Sequence, residues 1–302
     1  MVSFHRILTD IKELKVQGAQ NIARSSLYAL KQKASTSKSI TKGRFLTELN
    51  QAKAQLFSSR STEPCMRNCL NYVLTRLDES NLSALKAEFY ARIEKALLHL
   101  ETTEEKIAEI GSTKIKSGIT LFTHCHSSTV INILKKAKQQ QKFFEVHNTE
   151  TRPLFQGRIT AQELSKLGIP VTLFVDSAAR FALKKSDIML IGADAITSEG
   201  KVINKIGSEL FAEIANKFDI PVYVCTDSWK FDAASVFGYE EDIEIRKSNE
   251  IWKRPPKGVK IHNYAFEKID PYLITGIISE LGIYRPEIFV EELKRNYSWM
   301  FR

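Results

Sequence analysis

The chain has 302 residues, of which 43% are apolar and 26% charged, enough for one large or two modest domains with buried cores. It contains no run of about 18 apolar residues, and its first residues are charged and amphipathic, so the sequence favours neither a membrane span nor a secretory signal, and we expect a cytoplasmic protein. Its formal net charge is +9, and its four cysteines lack the spacing of a metal knuckle or a disulfide framework, which is typical of reduced thiols.

The first part of the chain is predicted to be helical. Residues 1–110 contain only two glycines and one proline, and apolar side chains recur there at helical spacing. Leu82, Leu85 and Phe89 begin the longest of these periodic stretches. We therefore predict a helical N-terminal domain over residues 1–112.

The positive charge is concentrated at the N-terminus, where residues 1–58 carry ten Lys and Arg but only three Asp and Glu. Such a segment can attract a small anionic substrate, bind nucleic acid or simply be a solvated surface. The sequence has no RNA-recognition signature and no cluster of aromatic residues to accompany the charges. We therefore expect no nucleic-acid partner, whereas a small anion and a solvated face both remain open.

The rest of the chain alternates short β-rich runs with helical stretches. The runs are ITLFT, FFEVH, VTLFV, IMLIG, VYVCT and VKIHNYAF, which begin at residues 119, 143, 171, 188, 222 and 259. This alternation predicts βαβ units and a parallel sheet. The fold class is therefore α/β, with the helical N-terminal domain followed by a Rossmann-like, doubly wound parallel sheet domain over residues 113–302.

Chemically capable side chains follow several of these predicted strands. Ligands in open α/β sheets bind outside the carboxyl ends of the strands, so we expect these segments to meet at one crevice. The segments are THCHSS at 123–128, ETRPLFQGR at 150–158, VDSAAR at 175–180, GADAIT at 192–197 and INKIG at 203–207.

Cys125 is the candidate base of this crevice. It follows the first predicted strand and precedes a predicted helix, between His124 and His126. A helix N-terminus with neighbouring histidines lowers the pKa of a thiol and makes the thiolate available near neutral pH. Three other interpretations remain open, namely an inert buried cysteine, a metal site with the two histidines, and a nucleophile of acyl transfer.

Asp194 is the candidate acid. It ends the fourth predicted strand among apolar neighbours, where burial raises the pKa of a carboxyl and lets it donate a proton. The alternative is a structural role as a helix N-cap, which aspartate also favours. Asn204, Lys205 and Gly207 follow soon after and are predicted to form a turn that binds a phosphate or a hydroxyl.

Arg152 is a candidate phosphate ligand, since a planar guanidinium suits phosphate oxygens and Pro153 restricts the loop. A structural ion pair with Glu150 or Glu163 is the alternative. The sequence contains neither GxGxxG nor GxxxxGK[ST], so it lacks the usual glycine-rich phosphate loops. Any phosphate must therefore be held by helix N-termini and separate side chains.

These motifs, together with WKF at 229–231 and QGAQNIARSSLYAL at 17–30, resemble the archaeal ribose-1,5-bisphosphate isomerases. That family shares a superfamily with methylthioribose-1-phosphate isomerase and the α, β and δ subunits of translation initiation factor 2B. The resemblance runs from Gly18 to the region of residues 264–285. HCHS, ETRPxxQG and VDSAAR point to the isomerase, whereas GAD and NKIG mark only the superfamily.

The resemblance implies an aldose–ketose isomerase that converts α-ribose 1,5-bisphosphate to ribulose 1,5-bisphosphate in the degradation of nucleoside monophosphates such as AMP. It implies that Cys125 and Asp194 form the catalytic acid/base pair, with no metal and no other cofactor. The implied partners are the sugar bisphosphate and further copies of the chain, as a dimer or as a hexamer built from three dimers. The apolar stretches 274–284 and 287–301 offer surfaces for such an assembly. The residues implied to line the bisphosphate site are Gly18, Ala19, Arg60, Ser127, Ser128, Arg152, Gln156, Asn204, Lys205 and Lys230.

Two departures from the family pattern leave other functions open. Gln17 stands where the family has an arginine, which removes a phosphate-binding charge. Segment 60–68 also differs, although Arg60 or Arg67 can supply a charge there. The alternatives are a noncatalytic regulatory protein that resembles the initiation factor 2B subunits, and an isomerase of methylthioribose 1-phosphate.

Overall fold

The computed structural model describes residues 2–16, 18–60, 63–240 and 243–301. The described part begins with a set of helices that precede the first strand. These helices are α1 (Phe4–Lys12), α2 (Ala19–Ser35), α3 (Lys42–Ser59), α4 (Pro64–Leu74) and α5 (Leu82–Ser112).

The N-terminal helices follow from local sequence signals. Ser3, Thr41 and Asn81 cap α1, α3 and α5, and each side chain accepts a hydrogen bond from a backbone N–H in the first turn. Pro64 begins α4, where a missing backbone N–H leaves no intrahelical hydrogen bond unmade. The buried residues of α5 recur at helical spacing, so one apolar face packs inward. The predicted helical N-terminal region is confirmed.

The second part of the chain alternates strands with helices, as the sequence predicts. Its elements are β1 (Ile119–Thr123), α6 (Ser128–Gln139), β2 (Phe144–Thr149), α7 (Gln156–Lys166), β3 (Val171–Phe174), α8 (Ala179–Leu183), β4 (Ile188–Ile191), β5 (Ala195–Ile196), β6 (Val202–Lys205), α9 (Ser208–Lys217), β7 (Val222–Cys225), β8 (Phe266–Ile269), β9 (Gly276–Ser279), β10 (Gly282–Tyr284) and α10 (Pro286–Asn296).

The main sheet has seven strands in the order β10-β9-β7-β4-β1-β2-β3. All neighbours in it are parallel except β10, which pairs antiparallel with β9. The chain runs from β1 outward to β3 and then returns to β4 on the other side of β1, so the switch point lies between β1 and β4. This confirms the α/β fold class and places the ligand crevice outside the carboxyl ends of these two strands.

A second, antiparallel sheet of three strands in the order β5-β6-β8 corrects two expectations. Asn204 and Lys205 lie in strand β6 rather than in a turn. The run VKIHNYAF is not a strand, because β8 begins only at its last residue, Phe266. Val259 and Tyr264 in that run are exposed, and only Ala265 and Phe266 at its end belong to a buried cluster.

One hydrophobic core joins the N-terminal helices to the main sheet. Leu27 and Phe89 from the helices belong to the same cluster of buried side chains as Phe122 in β1 and Phe231 after β7. The two parts therefore pack directly against each other. Helix α5 ends at Ser112, but a division into two domains at this point stays a prediction.

The apolar C-terminal stretches are used inside the chain. Ile277 and Ile278 in β9 are fully buried, as are Phe289 and Leu293 in α10. The expectation that these stretches cover subunit surfaces is wrong for these side chains, because their apolar area is already removed from solvent. Among the described residues, no helix combines the length and apolar character that crossing a membrane requires.

Candidate active site

A cleft of about 300 Å³ opens at the carboxyl ends of β1 and β4. It contains every residue predicted for the site except Arg152. The predicted residues that line it are Gly18, Ala19, Arg60, Cys125, Ser127, Ser128, Gln156, Asp194, Asn204, Lys205 and Lys230. Gln17, which stands where the family has an arginine, lies outside the described residues. Its neighbours Gly18 and Ala19 line the cleft at the start of α2.

The loop that carries Cys125 is held by hydrogen bonds on both sides. The Cys125 backbone N–H donates to Thr151 Oγ1 at 3.0 Å, and Thr160 Oγ1 donates to its carbonyl at 2.8 Å. Ser127 caps α6, and a Cβ at Gly192 would lie 2.7 Å from Ser127 Oγ. The loops after β1 and β4 therefore approach so closely that only a glycine fits at position 192.

The thiol of Cys125 does not have the expected low pKa. Burial raises its pKa to about 11, against the opposing effect of the nearby Lys205 ammonium. The expectation from the sequence of a readily available thiolate is therefore wrong. Desolvation outweighs the favourable position before α6, and the thiol carries its proton at neutral pH.

The two histidines beside Cys125 tie loops together. Thr149 Oγ1 and the Ile206 carbonyl lie 2.6 and 2.9 Å from the two ring nitrogens of His124, and burial lowers the pKa of this ring to about 4. Because a carbonyl only accepts, Nε2 carries the proton. His126 contacts Thr160 Oγ1 at 3.0 Å, and burial lowers its pKa as well. Both rings are therefore neutral near pH 7.

Asp194 is positioned by main-chain contacts with its neighbours. Its backbone N–H donates to the carbonyl of Ile203 at 2.8 Å, which joins the end of β4 to β6. Lys230 is almost fully buried, and its Nζ donates to the carbonyl of Ala193 at 2.6 Å. Lys205 is similarly buried, with its Nζ 4.6 Å from the centre of the Phe266 ring. Both buried lysines line the same cleft as Asp194.

Glu63 and Arg246, which were not predicted from the sequence, also line the cleft. Arg60 contacts Glu63 Oε1 at 3.0 Å and Glu244 at 3.9 Å, and Arg246 Nε lies 3.3 Å from Glu244. The spacing of three residues between Arg60 and Glu63 is a signal that could have revealed the first pair. Arg246 reaches the cleft only through tertiary structure, and Glu244 pairs with it.

The structure does not bring Arg152 into the cleft. Its side chain is exposed, lies over the Phe155 ring at 5.0 Å and donates to the Ile251 carbonyl at 3.4 Å. Asp176, from the VDSAAR motif, accepts hydrogen bonds from the backbone N–H groups of Thr151 and Arg152 at 2.8 and 2.7 Å. This motif therefore fixes the ETRP loop, while the guanidinium faces away from the cleft lining.

Among the described residues, His99, Asp227 and Glu280 are grouped closely enough to be considered as metal ligands, and they lie outside the cleft lining. Their candidate ligand atoms lie within 4.8 Å of one another. Each carboxylate oxygen already accepts a hydrogen bond or contacts His99 or Gln20, which argues against an open cation site. The His99 ring stacks on Trp229, with ring centres 4.0 Å apart.

Comparisons with known proteins find relatives that align along nearly the whole chain. A model described as the Initiation factor 2 subunit family, IF-2B, matches residues 15–286. The ribose 1,5-bisphosphate isomerase of Thermococcus kodakarensis is 36% identical and covers 98% of this chain and 95% of its own. The methylthioribose-1-phosphate isomerase of Pelotomaculum thermopropionicum is 34% identical and covers 97% of this chain and 85% of its own.

A solved structure supports the same assignment. The translation initiation factor eIF-2B of Pyrococcus horikoshii OT3 superposes with a TM-score of 0.81 at 25% identity, covering 95% of this chain and 98% of the other. The resemblance drawn from the sequence motifs is confirmed, because the family model spans most of the chain and the relatives align along nearly its whole length. The chain belongs to the Initiation factor 2 subunit family.

Proposed function

We propose that the chain is an aldose–ketose isomerase that converts α-ribose 1,5-bisphosphate to ribulose 1,5-bisphosphate. The observation that carries this proposal is the cleft at the switch point, where Cys125 and Asp194 lie among buried cations. The similarity to proteins named ribose 1,5-bisphosphate isomerase supports the same substrate. Degradation of nucleoside monophosphates such as AMP is the metabolic setting that we propose for it.

The reaction needs one proton donor and one proton acceptor. The ring oxygen must gain a proton as the bond from C1 to this oxygen breaks, and the C2 proton must leave so that its electrons form the C1–C2 double bond. A proton then adds to C1 while the C2 hydroxyl loses its proton and becomes the ketone. The proton donor is restored by the proton from the C2 hydroxyl, and the proton acceptor is restored when it delivers its proton to C1. The protein therefore ends the reaction unchanged.

The raised pKa of Cys125 supports an assignment of roles opposite to the one that the sequence suggested. Because the thiol is protonated at neutral pH, we assign it the donation to the ring oxygen. The Asp194 carboxylate then takes the C2 proton and delivers it to C1, and the thiolate recovers a proton from the C2 hydroxyl. Lys205 and Lys230 would hold the phosphates, which fixes the sugar between the two groups.

Turnover tests this proposal directly. Purified protein mixed with α-ribose 1,5-bisphosphate should give ribulose 1,5-bisphosphate, followed by phosphorus NMR. Cys125→Ser and Asp194→Asn should each lower kcat by about a hundredfold or more, the usual loss when a general acid or base is removed. Activity that withstands both substitutions would contradict the assignment of this pair. Methylthioribose 1-phosphate in parallel reactions tests the related substrate.

A noncatalytic regulatory role, like that of an initiation factor 2B subunit, is the second candidate. The salt bridge between Arg60 and Glu63 favours it, because it neutralises a cation that a bisphosphate would use. Saturable binding of the bisphosphate with no product after prolonged incubation would support this second role.

We also propose that the chain self-associates. Leu173 in β3, the last strand at one edge of the main sheet, and Val175 and Phe181, which follow β3 in the chain, are exposed apolar side chains. Exposed apolar clusters of this kind are typical of protein interfaces. A related solved structure is titled as a tetrameric complex, which fits an assembly of several subunits.

A further inference from the structure

Glu63 is a buried carboxyl group in the wall of the cleft. It directly precedes α4 and is only 4% exposed. Its Oε1 lies 3.0 Å from Arg60, whereas in the described part of the chain the buried Oε2 has no hydrogen-bond partner. A buried carboxylate oxygen without a donor is costly, and a proton on that oxygen would remove much of the cost.

The surroundings of Glu63 keep its two protonation states close in free energy. Burial raises its pKa to about 7, with Asp194 and Glu244 acting in the same direction. Arg60 and Lys230 oppose the shift. The carboxyl can therefore gain or lose a proton near neutral pH when one more charge enters the cleft.

An anion beside Arg60 would be such a charge. The guanidinium contacts the Glu63 carboxylate, so an entering phosphate oxygen competes with that carboxylate for the same donors. Once Glu63 is protonated, the neutral carboxyl competes less well and Arg60 becomes available to the anion. This change favours binding of a phosphate ester dianion.

We propose that Glu63 couples binding of a phosphate ester dianion in this cleft to the uptake of one proton from solvent. The proposal deepens the function given above, on which it rests for the phosphorylated ligand, but it concerns binding and not turnover.

Inorganic sulfate is a suitable probe, because it stays a dianion over the whole range used. Calorimetric titration of the wild-type protein should show affinity for sulfate that falls by about fivefold or more between pH 6 and pH 8.5, as the Glu63 carboxylate forms and pairs with Arg60. Glu63→Gln keeps a neutral group of the same shape, so its affinity should not change with pH. His124 and His126 do not produce this effect, since burial lowers both pKa values.

Glu104→Gln is the matched control. Burial also raises the pKa of Glu104, but this side chain does not line the cleft, so the variant should keep the wild-type dependence on pH. Calorimetric titrations of the wild-type protein with sulfate at pH 7.5, in two buffers of different ionisation enthalpy, measure the number of protons taken up on binding. This measurement needs no variant. About half a proton or more should be taken up per sulfate.

Three results would overturn the proposal. They are a wild-type affinity that is constant across this range, a Glu63→Gln variant that keeps the pH dependence, and no sulfate binding at any pH. Each is independent of turnover. If the protein does not isomerise the bisphosphate but still takes up a proton with sulfate, Glu63 keeps its proposed role in binding. If the protein is an active isomerase but takes up no proton with sulfate, only the proposed role of Glu63 is wrong.

Discussion

At the scale of single residues, the chemistry of the cleft depends on the protonation state of Cys125. Its thiol has a pKa of about 11, so the reactive thiolate is a small fraction at neutral pH and grows about tenfold with each pH unit. The rate of iodoacetamide modification at Cys125, followed by peptide mass spectrometry, should therefore rise steadily from pH 7 to pH 9.5. A plateau below pH 8 would show that the thiolate is stabilised after all.

Cys65 supplies an internal comparison in the same digest. It is fully buried and the pKa of its thiol is raised as well, whereas Cys125 lines the cleft and is accessible. We expect Cys65 to remain unmodified in the folded protein. Addition of the sugar bisphosphate should slow modification of Cys125 alone, because the ligand would cover it.

At the scale of the structural elements, the close approach of the loops after β1 and β4 can be tested at Gly192. A Cβ added there would lie 2.7 Å from Ser127 Oγ and 2.9 Å from its Cβ, and the second atom cannot rotate away. Gly192→Ala should lower the free energy of unfolding by about 1 to 3 kcal/mol, as overpacking usually does, and should lower kcat as well.

Gly43→Ala is the matched control for this substitution. Gly43 lies in the first turn of α3, and a Cβ there would meet no atom within 4 Å. The variant should be as stable as the wild type or gain up to about 1 kcal/mol, because alanine has less backbone entropy to lose. Equal thermal denaturation midpoints for the two variants would contradict the steric argument.

The sequence predicted some elements well and others poorly, for physical reasons. Strands β1 and β4 are nearly continuous apolar runs, as buried parallel strands are, and the motifs that follow them reach the cleft as expected. Strand β6 is short and ends in polar residues, and it is stabilised by pairing with β8 far along the chain. Local pattern carries little information about such pairing. Glu63 and Arg246 were missed because tertiary contacts bring them to the cleft.

At the scale of the whole molecule, the two edge strands of the main sheet, β10 and β3, have different surroundings. Strand β10 ends one edge, and helix α10 follows it and packs against the core. The other edge, β3, stays open beside exposed Leu173 and Phe181. We expect light scattering at micromolar concentration to give the mass of a dimer or a larger assembly. Phe181→Asp should shift that mass toward the monomer, since a charge in an apolar contact is costly.

The exposed Ile40, on the N-terminal helical part, gives the control for this measurement. Ile40→Asp introduces the same charge away from the β3 edge and should leave the mass unchanged. A monomeric wild-type protein, or an equal response of the two variants, would show that the β3 edge is not the surface of association.

The contact between Trp229 and His99 gives the molecule its own optical reporter. Trp229 is nearly fully buried and directly precedes Lys230 of the cleft, whereas Trp252 is about half exposed. A dissolved quencher such as iodide reaches an exposed indole and does not quench a buried one. The emission that survives quenching therefore comes mainly from Trp229 and from the partly buried Trp299, whose ring centre lies 5.3 Å from that of Trp229. Any movement of Lys230 that accompanies ligand binding would alter the stacking of its neighbour and change that remaining light, without a label or a coupled assay.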